Sequence, residues 1–171
     1  MPKYEAPKYE VIKKDRKFEI RLYEEFDTTS VDEKKLSGYS GFNLLFSYIS
    51  GNNQNQEKIS MTVPVINEFN ESSMSMEFVV PSKYKGTNIP IPTNPNLITK
   101  HYPKHHAASI SFSGLSTSRH VEKEKNKLDV WMKDNHVVST GPYRLARFNT
   151  PFSLPFLRHN EIIVDIEYTK E

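Results

Sequence analysis

Ser40-Gly41-Phe42-Asn43-Leu44-Leu45-Phe46-Ser47-Tyr48-Ile49-Ser50-Gly51-Asn52-Asn53 is the stretch on which the reading of the fold turns. Phe42, Leu45, Phe46 and Ile49 fall at i, i+3, i+4 and i+7, which is one face of a short helix. Ser40 can cap its start, and Gly51-Asn52-Asn53 supplies a left-handed stop. A helix cannot cover four apolar residues by itself, so the spacing predicts a helix lying on a sheet.

Outward from that helix the chain reads as strands. Phe18-Glu19-Ile20-Arg21-Leu22-Tyr23 alternates cleanly, and Tyr9–Lys14 alternates before it, with Asp15-Arg16-Lys17 as the turn. Beyond the helix, Lys58–Ile66 and Ser75–Val80 are expected strands, joined by a polar turn near Asn70-Glu71-Ser72-Ser73. Pro64 inside the first of these marks an edge, a bulge or a strand end, because proline donates nothing to a ladder. Residues 81–96 carry four prolines and read as a loop.

The order then repeats. Leu97–Tyr102 and Ala107–Phe112 read as strands, and Ser118–Asn135 as a helix with Val121, Leu128, Trp131 and Met132 on its apolar face. Its other face mixes Arg119, Glu122 and Glu124 with four lysines, which is a solvated face. Tyr143–Phe148 and Glu161–Tyr168 close the chain around the proline-rich stretch Thr150–Arg158. Each half is thus strand, strand, helix, strand, strand, giving pseudo-repeats of about 8–82 and 97–168 in a single domain, 1–171. The predicted class is α+β: one curved, mostly antiparallel sheet or distorted β-barrel carrying two helices.

Composition narrows the function. At 171 residues the chain can build a self-sufficient core. A net charge of +2 lacks the concentrated cationic excess of a nucleic-acid footprint. The absence of cysteine excludes disulfides, thiolate metal sites and cysteine nucleophiles. Strictly apolar runs stop at three residues, against the roughly 20 a membrane span needs. The charged, proline-broken start has no apolar leader, so the reading is a soluble, cytoplasmic protein.

Catalytic and metal signatures are weak. All six histidines lie in the second half, and His101 and His105 on an extended segment stand about 13 Å apart, too far to share one ion. There is no G-x-S-x-G elbow, no G-x-G-x-x-G and no P-loop. Glu161 and Asp165, four apart on the last strand, are expected to face solvent. The chain is therefore read as a binding protein and not an enzyme. Phe152, Leu154 and Phe156 in the stiff closing loop either cap the end of the barrel or wall a cleft facing the first helix.

Gly41-Phe42…Tyr48-Ile49-Ser50-Gly51-Asn52, the Lys58–Val65 run, Phe78-Val79-Val80-Pro81-Ser82 and the closing Pro155…Arg158-His159-Asn160-Glu161 together resemble the SOUL haem-binding protein family. Tyr9-Glu10-Val11-Ile12 and Phe18–Tyr23 fit as well, so the resemblance covers roughly residues 8 to 168. It implies a distorted barrel with two helices from a duplicated, GyrI-like unit. It also implies haem or another tetrapyrrole as small-molecule ligand, in an apolar cleft beside the first helix. Carried over residue by residue, the apolar side of that cleft is Phe42, Leu45, Phe46, Ile49 and Met61, with Leu154 and Phe156 from the closing loop. Arg158 is the basic residue that carries over, with Lys34 and Lys58 nearby. The alternative is a GyrI-like regulatory module taking a different small apolar or cationic ligand.

Overall fold

The computed structural model describes residues 4–34, 40–149, 154 and 158–169. The chain opens with the hairpin β1 (Tyr9–Asp15) and β2 (Phe18–Tyr23), whose turn places Arg16 at φ 56. Then come β3 (Phe26–Asp32), α1 (Ser40–Ile49), β4 (Val65–Phe69) and β5 (Ser75–Val79). The second half holds β6 (Ile98–Tyr102), β7 (His105–Phe112), α2 (Ser118–Asp134), β8 (Val138–Arg147) and β9 (Asn160–Glu167).

All nine strands join one sheet in the order β1-β2-β7-β9-β8-β4-β5-β3-β6, and every neighbouring pair is antiparallel. The α+β class with two helices is the observed one. The barrel-like sheet is not closed, since β1 and β6 are its two ends.

Two strand expectations need correction. β3 was not legible, because Thr28, Thr29, Ser30 and Val31 are all buried and the strand is paired on both sides, by β5 and β6. Burial of both faces erases the polar–apolar alternation that announces a strand. Conversely, Lys58–Pro64 is not a strand. Its segment is tied by the Thr62 hydroxyl, which donates to the Val79 carbonyl at 2.6 Å, and by a single bridge to Glu5. The Val63–Pro64 bond is cis and β4 starts at the next residue, so Pro64 does mark a strand end.

Both helices lie on the same side of the sheet, because Val65 packs in the α1 core and Phe69, four residues on along β4, packs in the α2 core. Under α2, Leu128, Trp131 and Met132 meet Ile20, Ile110, Leu145, Ile162 and Val164. Trp131 stacks on Phe18 with centroids 5.1 Å apart, and its indole N–H donates to Asp15 at 2.9 Å. Under α1, Leu45 and Ile49 meet Val31, Met76 and Phe78.

The opposite side of the sheet combines a small apolar cluster, Tyr23, Ala107, Ala146 and Ile163, with buried charge. Arg21, Glu77, Arg144 and Glu161 are all buried there. Each is satisfied by a partner, as burial of charge requires: Arg21 by Glu161 and Glu19, Arg144 by Asp165, and Glu77 by Thr28 and Tyr102.

Candidate functional site

The site starts from how α1 is held. Ser40 was expected to cap the helix, but its hydroxyl instead donates to Glu33 at 3.3 Å. The Glu33 carboxylate is the acceptor at this end, taking the Gly41 N–H at 2.7 Å and the Lys34 N–H at 3.0 Å. A buried anion placed against a helix N-terminus satisfies an orphan donor and complements the helix dipole. This role was illegible in the sequence, because Glu33 is supplied from outside the helix, just past β3.

At the other end the expected stop is in place. Gly51 adopts φ +127, and the buried Asn53 side chain donates to the Tyr48 carbonyl at 3.1 Å and accepts from the Glu57 N–H at 3.1 Å.

So anchored, the apolar face of α1 divides into two levels. Leu45 is fully buried and Ile49 is buried, both within the core on β3 and β5. Phe42 and Met61 are half-buried against that core. Phe46 is 51% exposed and stacks on Phe42 with ring centroids 6.0 Å apart and planes 14° from parallel. Phe42 in turn meets the edge of Phe78 at 5.4 Å. The result is a two-ring aromatic step rising from the core to the surface.

Basic groups stand on the same side of the sheet. Arg147 ends β8 directly opposite Val65 of β4, so its side chain emerges on the face that carries α1. It donates to the Asn67 side-chain oxygen. Burial pushes the Arg147 guanidinium below its ordinary value; the like charge of Arg158 adds to this and Glu33 opposes it. Arg158 is half-buried at the return of the closing loop, where the Phe148 N–H donates to the His159 carbonyl at 3.1 Å. Leu154 is exposed. Phe156, like Phe152, lies outside the described residues. Lys34 and Lys58 are both exposed.

Two cavities flank this region. One of about 360 Å³ lies along the other edge of α1, lined by Leu44, Ser47, Tyr48, Asn52, Asn94 and Leu97. One of about 600 Å³ lies between the chain leaving β3, the β4–β5 turn and the first turns of α2, and includes Glu33, Phe69, Met74 and Val121. Phe42, Phe46 and Met61 line neither.

The acidic pair of the last strand is corrected by the structure. Glu161 is buried, not solvent-facing, and Asp165 is tied to Arg144 at 2.9 Å. Burial alone would push the Glu161 carboxyl up, but hydrogen bonds from Arg21 and His159 and the Arg21 charge hold it down at about 2. A carboxylate so firmly ionised and paired is a poor proton acceptor. His101 faces Asp27 at 2.8 Å while His105 faces the Pro103 carbonyl at 2.6 Å. Among the described residues no group of three or more His, Asp or Glu side chains is arranged to hold a metal ion, and no helix is long and apolar enough to cross a membrane.

Comparison with known proteins agrees with this architecture. Heme-binding protein 2 of Homo sapiens is 29% identical over 168 residues, covering 90% of this chain and 81% of that protein. Heme-binding protein 2 of Mus musculus is 25% identical over 174 residues, covering 95% and 83%. Among solved structures, the EcmrR C-terminal domain shares the fold with a TM-score of 0.65 at 14% identity, over 94% of this chain and 99% of that one. The family model described as SOUL heme-binding protein matches residues 4–165, and over that nearly complete span the chain belongs to the SOUL family.

Proposed function

We propose that this protein binds haem or a related tetrapyrrole, without catalysis, on the outer face of α1. The observation that carries the reading is the exposed Phe46 ring stacked on Phe42 above an otherwise sealed core. A flat macrocycle is matched by a flat aromatic surface, and its carboxylates by cations at the edge; Arg158 is such a cation. In this reading Phe42, Phe46, Met61 and Leu154 meet the guest; Phe156 lies outside the described residues. Leu45 and Ile49 support the face from beneath. His159 Nε2 lies 2.9 Å from Glu161, and the reading rests on stacking and carboxylate contacts.

Magnitudes are consistent with reversible binding. Covering on the order of 400 Å² of apolar surface contributes about 10 kcal/mol. Association costs at least about 4 kcal/mol of that. The balance corresponds to a dissociation constant in the range of tens of micromolar, before any carboxylate–cation contact is added.

A haemin titration followed in the Soret band tests this. Saturable perturbation of the band, weakened by Phe46→Asp, is the expected result. A spectrum identical to haemin in buffer overturns the reading, as does wild-type affinity in the Phe46→Asp protein. Thermal stabilisation by unrelated amphiphiles but not by porphyrins would favour a regulatory module with another ligand.

A further inference from the structure

We propose that the corner where the β1–β2 turn meets α2 is a docking surface for an anionic phospholipid headgroup layer, a role separate from the haem reading. Composition hides it, because the net charge of the whole chain is only +2. Folding, however, lays the turn Lys13–Lys17 against α2. It is held there by the Trp131 N–H, which donates to Asp15 at 2.9 Å, and by Lys13, which donates to the Asn135 side chain at 2.9 Å. Glu124, read from the sequence as part of a solvated face, is buried beneath the cations so gathered. Its carboxylate accepts from Lys127 at 3.0 Å and faces Lys17 at 3.8 Å, so one acid is shared by two ammoniums.

The sharing is unequal. The hydrogen bond from Glu124 pushes the Lys127 ammonium up, whereas partial burial pulls Lys17 down; Glu124 opposes that fall, and Lys127 and Arg16 add to it. Arg16 at the turn, its side chain 85% exposed, and Lys123, one turn before Lys127 on the same helix face, carry the positive charge outward. Asp15 is taken by Trp131 and by Arg16 at 3.6 Å, and Asp134 is an exposed acid at the far end of the stripe. Charges this close act together, since screening sets in over about 10 Å at 0.1 M salt. Val130, 60% exposed and one turn after Lys127, puts an apolar tip among the cations. A headgroup layer rewards that mixture of basic and apolar side chains. A nucleic acid rewards stacking on open rings, but Phe18 beside Lys17 and Trp131 beside Lys13 are buried in their mutual stack.

Sedimentation with vesicles tests this. The protein should pellet with vesicles in which about a third of the lipid is phosphatidylserine and not with pure phosphatidylcholine. About 1 M salt, which shortens the screening length to about 3 Å, should release it. Arg16→Gln combined with Lys123→Gln leaves Glu124 its partners and should lower the partition at least about tenfold. Equal pelleting with both kinds of vesicle, or wild-type partition in the double variant, overturns the proposal. Tighter retention by a DNA duplex than by the phosphatidylserine vesicles overturns it in favour of a nucleic acid. Should the double variant fail to fold, acetylation of wild-type lysines decides. Protection of Lys17, Lys123 and Lys127 by the phosphatidylserine vesicles alone supports docking, and equal modification with both overturns it.

Discussion

Arg21 and Glu161, 140 residues apart in the chain, meet in a two-pronged ion pair on the side of the sheet opposite the helices. Nη1 donates to Oε1 at 2.7 Å and Nη2 to Oε2 at 2.9 Å. β7 alone separates their two strands, so the pair ties the first hairpin to the last strand across it. Arg21 also lies over the Tyr9 ring at 4.2 Å and donates to the Tyr23 hydroxyl at 2.8 Å.

Acid should remove the stability that this pair contributes. The Glu161 carboxyl is held at about 2 against an ordinary 4.5. A depressed carboxyl contributes stability that is complete above about pH 4.5 and is lost as the pH falls toward 2. Urea unfolding should show about 3 kcal/mol of stability disappearing across that window. Glu161→Gln should lower stability by about 3 kcal/mol at pH 7, because it leaves a buried guanidinium short of its partner. It should also flatten the acid dependence. Unchanged stability at pH 7, or the same acid slope in the variant, would count against the pairing.

Glu33 and Gly41 should behave as one unit. A Cβ on Gly41 would stand 2.4 Å from Glu33 Oε2 and 3.3 Å from Val31 Cγ1, so alanine there displaces the carboxylate that accepts the Gly41 amide in the helix's first turn. Gly41→Ala and Glu33→Ala should each cost about 1.5 kcal/mol, the scale of a hydrogen bond to a charged group. The double variant should cost clearly less than the sum. Full additivity in chemical denaturation would show that the two act independently.

Leu45 and Phe46 are adjacent in sequence and opposite in consequence. Leu45 is fully buried, so Leu45→Ala should cost about 3 kcal/mol through lost packing and a residual cavity. Phe46 is half exposed, and Phe46→Ala should change stability by less than about 1 kcal/mol. Differential scanning calorimetry of the two proteins checks the contrast. A large destabilisation at Phe46 would mean that the ring is structural and not a ligand platform.

Trp131 is the single tryptophan and stacks on Phe18 beneath α2. Trp131→Phe should keep part of the stack but lose the donation to Asp15, at a cost of about 1 to 2 kcal/mol. Asp15→Asn should cost less, since an amide oxygen still accepts. Denaturation followed by circular dichroism ranks the two, and the reverse order would refute this account of the contact.

What was legible from residue order is tied to periodicity. The α1 and α2 faces announced themselves because one side of each is apolar and the other wet, and β2 did so because its residue types alternate, although both its faces are covered. β3 did not, since burial of both its faces removes the contrast, and the Lys58–Pro64 segment imitated a strand because apolar residues alternate there while its backbone is tied elsewhere. Of the candidate site, Phe42, Leu45, Phe46 and Ile49 were identified as one stripe. Which of them face outward was not, because a helix of this length offers more apolar surface than the sheet beneath it covers.

Local spacing and composition by themselves determined the element types, the absence of thiol chemistry and the two-helix α+β class, since those depend on neighbours within a turn or a strand. Only the tertiary structure decided that Glu33 closes the end of α1, that Glu161 is buried against Arg21, and that Arg147 lies opposite Val65 on the face that carries α1. These are contacts between segments far apart in the chain, and the pairing of strands from both halves sets them; no local pattern encodes where a distant charge will arrive.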